Sequence, residues 1–272
     1  MIQQSRKIHA IFIILFLLGF FGKPENKIPL SAAELPISSG ALPTAAIVTA
    51  VYDGDTIKVK FENGISKRIR LLGVDAPEMN DPREEMKFWA HMAKRFAFFY
   101  LYRKEINLSY EAEIEDKYGR ILAYVWTKEQ GLFNDFIVRQ GFAFAFLNFP
   151  LKKDYAIRLK EAEREAQKSQ KGIWRRGEFP SLRAQEAKHH LGEVLSVKYT
   201  CSKVEVKRNF SILHSGENFQ ALIPKENIAS FPDPHSFQGK VLSVIGFIEE
   251  YKGRTQIVIF LPQQIKMIDH SK

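Results

Sequence analysis

Residues 63–78 read NGISKRIRLLGVDAPE. Asn63-Gly64 is a strong hairpin turn signal, and the run behind it has the apolar content of a strand. A strand that reads as buried nevertheless carries a guanidinium, Arg70, and ends in two carboxylates, Asp75 and Glu78. Upstream, AAIVTAVYDGDTIKVKF alternates around a second turn, Asp-Gly. The two stretches together predict a β-meander over about 47–74. What meets the charges at its end depends on the rest of the chain.

Downstream, EEMKFWAHMAKRFAFFYLYRK repeats Met86, Trp89, Met92, Ala93, Phe96, Phe99 and Tyr100 at helical spacing. That pattern predicts an amphipathic helix whose aromatic stripe is core. EINLSYEAEIEDKYGRILAYVWT supplies two more strands around a charged turn at 116–120. GLFNDFIVRQG reads as a short helix ended by Gly141, and DYAIRLKEAEREAQKSQKGIW as a longer, charged helix ended by Gly172. The expected layout is a first domain at 46–180, a linker at 181–190 and a second domain at 191–272. Within the last, GEVLSVKY, KVEVKRNF, NFQALI, GKVLSVIGFIEE, RTQIVIF and QIKMI are short strands, YKGR being a hairpin tip. Strands of that number and length fit a small five-stranded barrel of the oligonucleotide-binding (OB) type.

The 272 residues carry a formal charge of +9, which favours an anionic partner, nucleic acid or an anionic membrane surface. The lone cysteine, Cys201, excludes an internal disulfide and a cysteine-built metal site. Adjacent His189 and His190 lack neighbouring ligands and read as solvent-exposed. Near the start, Arg6 and Lys7 precede an apolar run over about 8–22, short of the roughly 20 residues a membrane span needs. With Ser31, Ala32 and Ala33 beyond it, the run reads as a signal peptide or N-terminal anchor within 1–45, and the expected location is exported: secreted, periplasmic or anchored outside the cytoplasm.

Three charged stretches sit at strand ends: DGDT (53–56), RLLGVDAPE (70–78) and DKYGR (116–120). Each alone is an ordinary turn. Together they supply carboxylates for a hard divalent cation, guanidinium forks for phosphate oxygens and a glutamate that can deprotonate water. Phosphodiester hydrolysis needs those parts, because water is a poor nucleophile and the transition state accumulates negative charge.

These motifs, with IVRQG and the closing GIW, resemble the staphylococcal (micrococcal) nuclease, or thermonuclease-like, family in the same order over about 47–176. The resemblance implies a β-rich α+β fold, an OB-type five-stranded barrel with three helices, here followed by the second OB-like barrel. It implies a calcium site at Asp55 and Asp75 with the backbone carbonyl at Ala76, where the family commonly has threonine. It makes Arg70 and Arg120 the catalytic arginines and Glu78 the general base. Lys117 and Tyr118 match residues beside the bound nucleotide. Leu147 and Phe149 stand where better-known members have tyrosines, which leaves Phe149 to stack and removes the phenolic hydrogen bonds. The implied activity is a calcium-dependent endonuclease on DNA and RNA that leaves 3′-phosphates.

Two other readings compete with it. A binding protein built from two OB-type barrels would have the fold without turnover; retention of all five charged site residues argues against it. A membrane-surface structural protein would rest on the N-terminal apolar run and net charge. The second barrel has no comparable constellation; Lys252 and Arg254 beside Tyr251 offer a phosphate contact and a stacking ring.

Overall fold

The structure, a computed structural model, describes residues 42–216 and 218–268. The N-terminal apolar run read as a signal or anchor lies outside them. No helix among the described residues is long and apolar enough to cross a membrane.

The first barrel is built from β1 (Ala45–Val51), β2 (Thr56–Phe61), β3 (Ser66–Leu71), β5 (Glu105–Ser109) and β6 (Ile121–Thr127). They lie in the order β3-β2-β1-β5-β6, and β3 closes the ring by pairing in parallel with β6. Alternation does the sorting: Ile57 and Val59 on β2, and Ile69 and Leu71 on β3, point inward and are fully or almost fully buried. Short strands β4 (Val74–Asp75) and β8 (Phe144–Ala145) pair with each other, and β7 (Gly131–Leu132) extends the sheet beside β6.

Helix α1 (Glu84–Leu101) plugs the barrel with the aromatic stripe expected of it. Trp89, Met92, Phe96 and Leu101 are buried, and Phe96 stacks on Phe142 at 4.3 Å between ring centres. Helix α2 (Phe133–Arg139) carries Asn134, which is wholly buried. Its amide accepts from Val125 N–H and donates to the Leu72 carbonyl, both at 2.8 Å, so it ties the loop after β3 to β6. Helix α3 (Lys153–Lys168) packs Leu159, Ala162 and Ala166 inward. Gly73 turns the chain at φ +71°, and a Cβ there would lie 2.3 Å from the Leu159 side chain. Only glycine lets the chain exit β3 under α3.

The second barrel uses β10 (Val194–Val206), β11 (Phe210–Ser215), β12 (Phe219–Pro224), β13 (Val241–Tyr251) and β14 (Arg254–Val258). β12 pairs in parallel with β14, and β13 closes on β10. β15 (Ile265–Ile268) lines up beside β13. Residues 181–190, expected as a linker, instead hold β9 (Ser181–Arg183), paired in parallel with β10, and a single 3-10 turn. Ala184 and Ala187 are buried in the second core, so the segment is anchored by packing that its polar composition hides. Cys201 is buried and free.

Helix α1 also joins the barrels. Phe247 and Val194 complete the first core, Phe99 meets Phe247 at 5.6 Å, and His91 stacks on Phe260 at 4.2 Å. The Arg95 guanidinium forms an ion pair with the Glu249 carboxylate across this seam.

Candidate active site

The three charged stretches converge because β2, β3 and β6 are neighbours in the first barrel. Register places Thr56 opposite Arg70 and Arg70 beside Leu122. The loop before β2 is wound tightly: the Asp53 carboxylate accepts from the N–H groups of Asp55 and Thr56 at 3.0 and 2.6 Å. A Cβ on Gly54 would come within 2.8 Å of Cβ atoms of both Ala76 and Ala93, so glycine lets this loop sit against the 75–78 segment and α1.

Asp55 is the hub. Its Oδ2 accepts the Ala76 N–H at 2.8 Å, and its Oδ1 accepts the Thr56 hydroxyl at 3.1 Å. Arg70 Nη1 lies 2.5 Å from Oδ1 of Asp55, while Arg70 Nη2 reaches Asp75 Oδ1 at 3.4 Å. Arg120 Nη1 donates to Thr56 Oγ1 at 3.2 Å, and its Nε is aimed by Asp116 Oδ2 at 2.8 Å. Asp116 also accepts the N–H groups of Tyr118 and Arg120, which fixes the whole 116–120 turn. One connected set of contacts thus joins Asp55, Thr56, Arg70, Asp75 and Arg120.

Burial pushes the Asp55 carboxyl up to about 7; Arg70 pulls it down, and nearby Asp53 pushes it further up. Backbone and side-chain donors hold Asp116 below the ordinary carboxylate range despite the opposing effect of burial, the largest single influence on it.

Of the remaining expected residues, Glu78 is exposed two positions beyond Ala76. Lys117 is exposed with its ammonium 5.0 Å from the Tyr118 ring centre, and Arg120 lies 5.5 Å from the same ring. Tyr118 is 62% exposed, an open aromatic face with cations beside it. Phe149 is half-buried on a small satellite cluster formed by Leu72, Leu122, Tyr124 and Leu132. Leu122 is the register partner of Arg70, so this cluster lies on the guanidinium's face of the sheet. Leu147 is 40% exposed.

Sequence reading passed over Thr56, Asp116 and Asn134. The first two lie inside the quoted motifs: Asp116 stands four residues before Arg120, whereas Thr56 meets the arginines only through strand pairing. Asn134 had none, because a buried amide on a short helix looks like any polar residue.

Two carboxylates, Asp55 and Asp75, meet on one guanidinium and offer the oxygen donors that a hard divalent cation takes. The donors are oxygens, as calcium prefers. Among the described residues no group of three or more His, Cys, Asp or Glu forms a ready metal cluster. The shell would therefore need the Ala76 carbonyl and solvent to fill it.

A closed OB-type barrel with carboxylates and guanidinium forks gathered at adjoining strand ends defines a class of phosphate-ester site. Residues 68–176 match the family model described as staphylococcal nuclease homologue. The thermonuclease of Staphylococcus intermedius is 38% identical over 130 residues, 48% of this chain and 76% of that protein. That of Staphylococcus hyicus is 36% identical over 127 residues, 47% of this chain and 73% of the relative. Endonuclease YhcR of Bacillus subtilis is 32% identical over 136 residues, 47% of this chain and 11% of that larger protein. The chain belongs to the staphylococcal nuclease family.

Proposed function

We propose that this chain is a phosphodiester-hydrolysing nuclease, calcium-dependent, acting on DNA and RNA outside the cytoplasm. The observation that carries the reading is the convergence of Asp55, Arg70, Asp75 and Arg120 through direct contacts and the Thr56 hydroxyl. The names of the relatives, thermonuclease and endonuclease, support the same reaction.

In this reading Asp55, Asp75 and the Ala76 carbonyl hold the calcium ion, which when bound supplies positive charge to a phosphate oxygen. Arg70 and Arg120 bind phosphate oxygens and offset the charge that develops as the attacking and leaving oxygens exchange. Arg120 is already aimed by Asp116, so little orientation is lost on reaching the transition state. Glu78, exposed two positions beyond Ala76, takes the proton from the attacking water. Tyr118 and Phe149 flank the substrate base, and Lys117 a neighbouring phosphate. The 5′-oxygen leaves, and the product strand ends in a 3′-phosphate. Export follows from the apolar N-terminal run, as cleaved leader or as membrane anchor.

The test is digestion of single- and double-stranded DNA and RNA with calcium or with a chelator. Cleavage of all four with calcium and of none with chelator is expected. Intact substrates with calcium would leave a binding protein in place of an enzyme. Fractionating the native host cells tests the location: recovery in the cytosol would overturn export.

A further inference from the structure

The outer face of the second barrel does not behave like a solvated sheet. Along β11, β12, β13 and β14 the inward residues Leu213, Phe219, Ala221, Ile223, Ile248 and Ile257 form the barrel core. By the same alternation the opposite face should be polar and wet. Instead Gln220, Leu222, Glu249, Gln256 and Val258 on that face are at most 8% exposed. They line a cleft of about 440 Å³, bounded on the α1 side by Arg95 and Phe260.

The floor of this cleft is a fixed row of polar groups. Gln220 Nε2 donates to Gln256 Oε1 at 3.0 Å, and Gln256 Nε2 donates to Glu249 Oε1 at 2.8 Å. The other Glu249 oxygen is neutralised by Arg95. Among the described residues no hydrogen bond reaches Gln220 Oε1, so the row ends in an unspent acceptor and spare amide hydrogens. On one wall the Tyr251 hydroxyl is buried and meets no partner among the described residues. Phe210 is a half-buried ring on the opposite strand. Around the mouth stand the exposed cations Lys207, Arg208 and Lys252, with Glu226 an exposed carboxylate on the rim and Lys207 also paired to Glu205 at 2.8 Å. Lys252 occupies a hairpin tip at φ +50°, and its ammonium sits 5.3 Å from the Tyr251 ring centre.

We propose that this cleft holds a base of single-stranded nucleic acid, with the flanking phosphates on Lys207, Arg208 and Lys252, as a second contact for the strand that the first barrel cuts. The choice of occupant rests on the nuclease reading and on three features of the cleft. Aromatic walls suit the face of an unstacked base, the amide row suits its hydrogen-bonding edge, and the cationic rim suits the backbone. A duplex keeps its base faces stacked and cannot enter a cleft of this kind. The two sites share α1: Arg95 closes the cleft, and the ammonium of its neighbour Lys94 feels the Asp53 carboxylate in the loop before the catalytic strand.

The test is binding of a labelled oligothymidylate to the full chain by fluorescence anisotropy, in chelator so that nothing is cut. Changing Lys207, Arg208 and Lys252 together to alanine should lower the slope of log affinity against log salt by about 2, at roughly 0.7 per phosphate contact. Phe210→Ala should weaken binding about tenfold at fixed salt through lost stacking. Both variants should cleave a dinucleotide substrate as the unaltered chain does. Unaltered affinity and slope in the rim variant would overturn the proposal, as would an equal loss on duplex DNA. Should Phe210→Ala fail to fold, the rim variant decides alone. Because binding is read without turnover, a failed digestion assay would sink the nuclease reading and leave this measurement standing.

Discussion

The two barrels share a strand plan and place their polar residues in opposite ways. In the first, the charges lie at strand ends and in turns, where Asp55, Arg70, Asp75 and Arg120 meet from three segments. In the second, Gln220, Gln256 and Glu249 lie within strands, bonded side chain to side chain across the sheet. A strand-end charge can exchange protein partners for metal, phosphate or water. A mid-strand polar group held by its neighbours across the sheet has little such freedom, and only the Gln220 end of the row is left to take a new partner. The first arrangement makes a site that can change partners during a reaction; the second makes a rigid floor.

This contrast is tested most strongly by removing a guanidinium that serves each barrel, Arg70 or Arg120 in the first and, for the second, Arg95 reaching across from α1. Arg70→Ala or Arg120→Ala should lower the cleavage rate about 10²–10³-fold, since in the proposed reaction each removes a group that offsets transition-state charge. The rate is read by single-turnover digestion, and a urea titration should show that both variants remain folded. Asp55 limits the structural cost in Arg70→Ala: a carboxyl already titrating near 7 can take up a proton when its cation is removed. Near-normal rates in both variants would remove the catalytic assignment.

Arg95→Ala should behave the other way. Glu249 is 6% exposed, and losing its ion-pair partner leaves a buried carboxylate against Gln256 alone. Breaking such a pair costs about 3–5 kcal/mol, read as a shift in the urea midpoint. Adding Glu249→Gln to it should recover much of the loss, because the stranded charge disappears. If Arg95→Ala were instead silent in stability, the second barrel's polar row would not be the fixed floor inferred from its bonds.

The pH dependence sharpens the same point. Asp55 binds its proton more tightly folded than unfolded, with a carboxyl raised from 3.8 to about 7. Between those values the native state holds more protons, so metal-free stability falls as pH rises through this window and levels off above it. Asp55→Asn should therefore raise the urea midpoint of the metal-free protein at neutral pH, while abolishing calcium-dependent cleavage. Calcium must displace the proton below about 7, so its apparent affinity should drop about tenfold per pH unit there, measured by isothermal titration. A calcium affinity flat from pH 5 to 7 would contradict the role given to Asp55.

The first barrel was legible in the sequence because its signals are local. Asn63-Gly64 and the Asp-Gly turn mark the meander, and the aromatic stripe of α1 repeats at helical spacing. The Arg70 and Asp55 charges also declare themselves within short motifs. What stayed hidden depends on contacts distant in the chain. Asn134 matters because it bridges Val125 and Leu72. The Gln220–Gln256 pair joins residues 36 apart through parallel strand pairing, which no local pattern encodes. Residues 181–190 read as a linker because three residues of strand and two buried alanines leave almost no periodic trace.

The smallest expected effects separate two aromatic residues that sequence alone treats alike. Tyr118 is open to solvent at the turn that aims Arg120, and its ring supports no core. Tyr118→Ala should therefore raise KM a few-fold and leave the urea midpoint unmoved. Phe149 packs against the cluster formed by Leu72, Leu122, Tyr124 and Leu132, so its ring supports the sheet as well as serving the site proposed for it. Phe149→Ala should cost roughly 1 kcal/mol of stability, the ordinary price of a half-buried truncation, together with a rise in KM. Phe149→Leu keeps most of the apolar volume and discards the flat face, so it should restore the midpoint and keep the KM defect. If the leucine variant restores both, Phe149 serves the satellite cluster alone, and base stacking in the first barrel belongs to Tyr118.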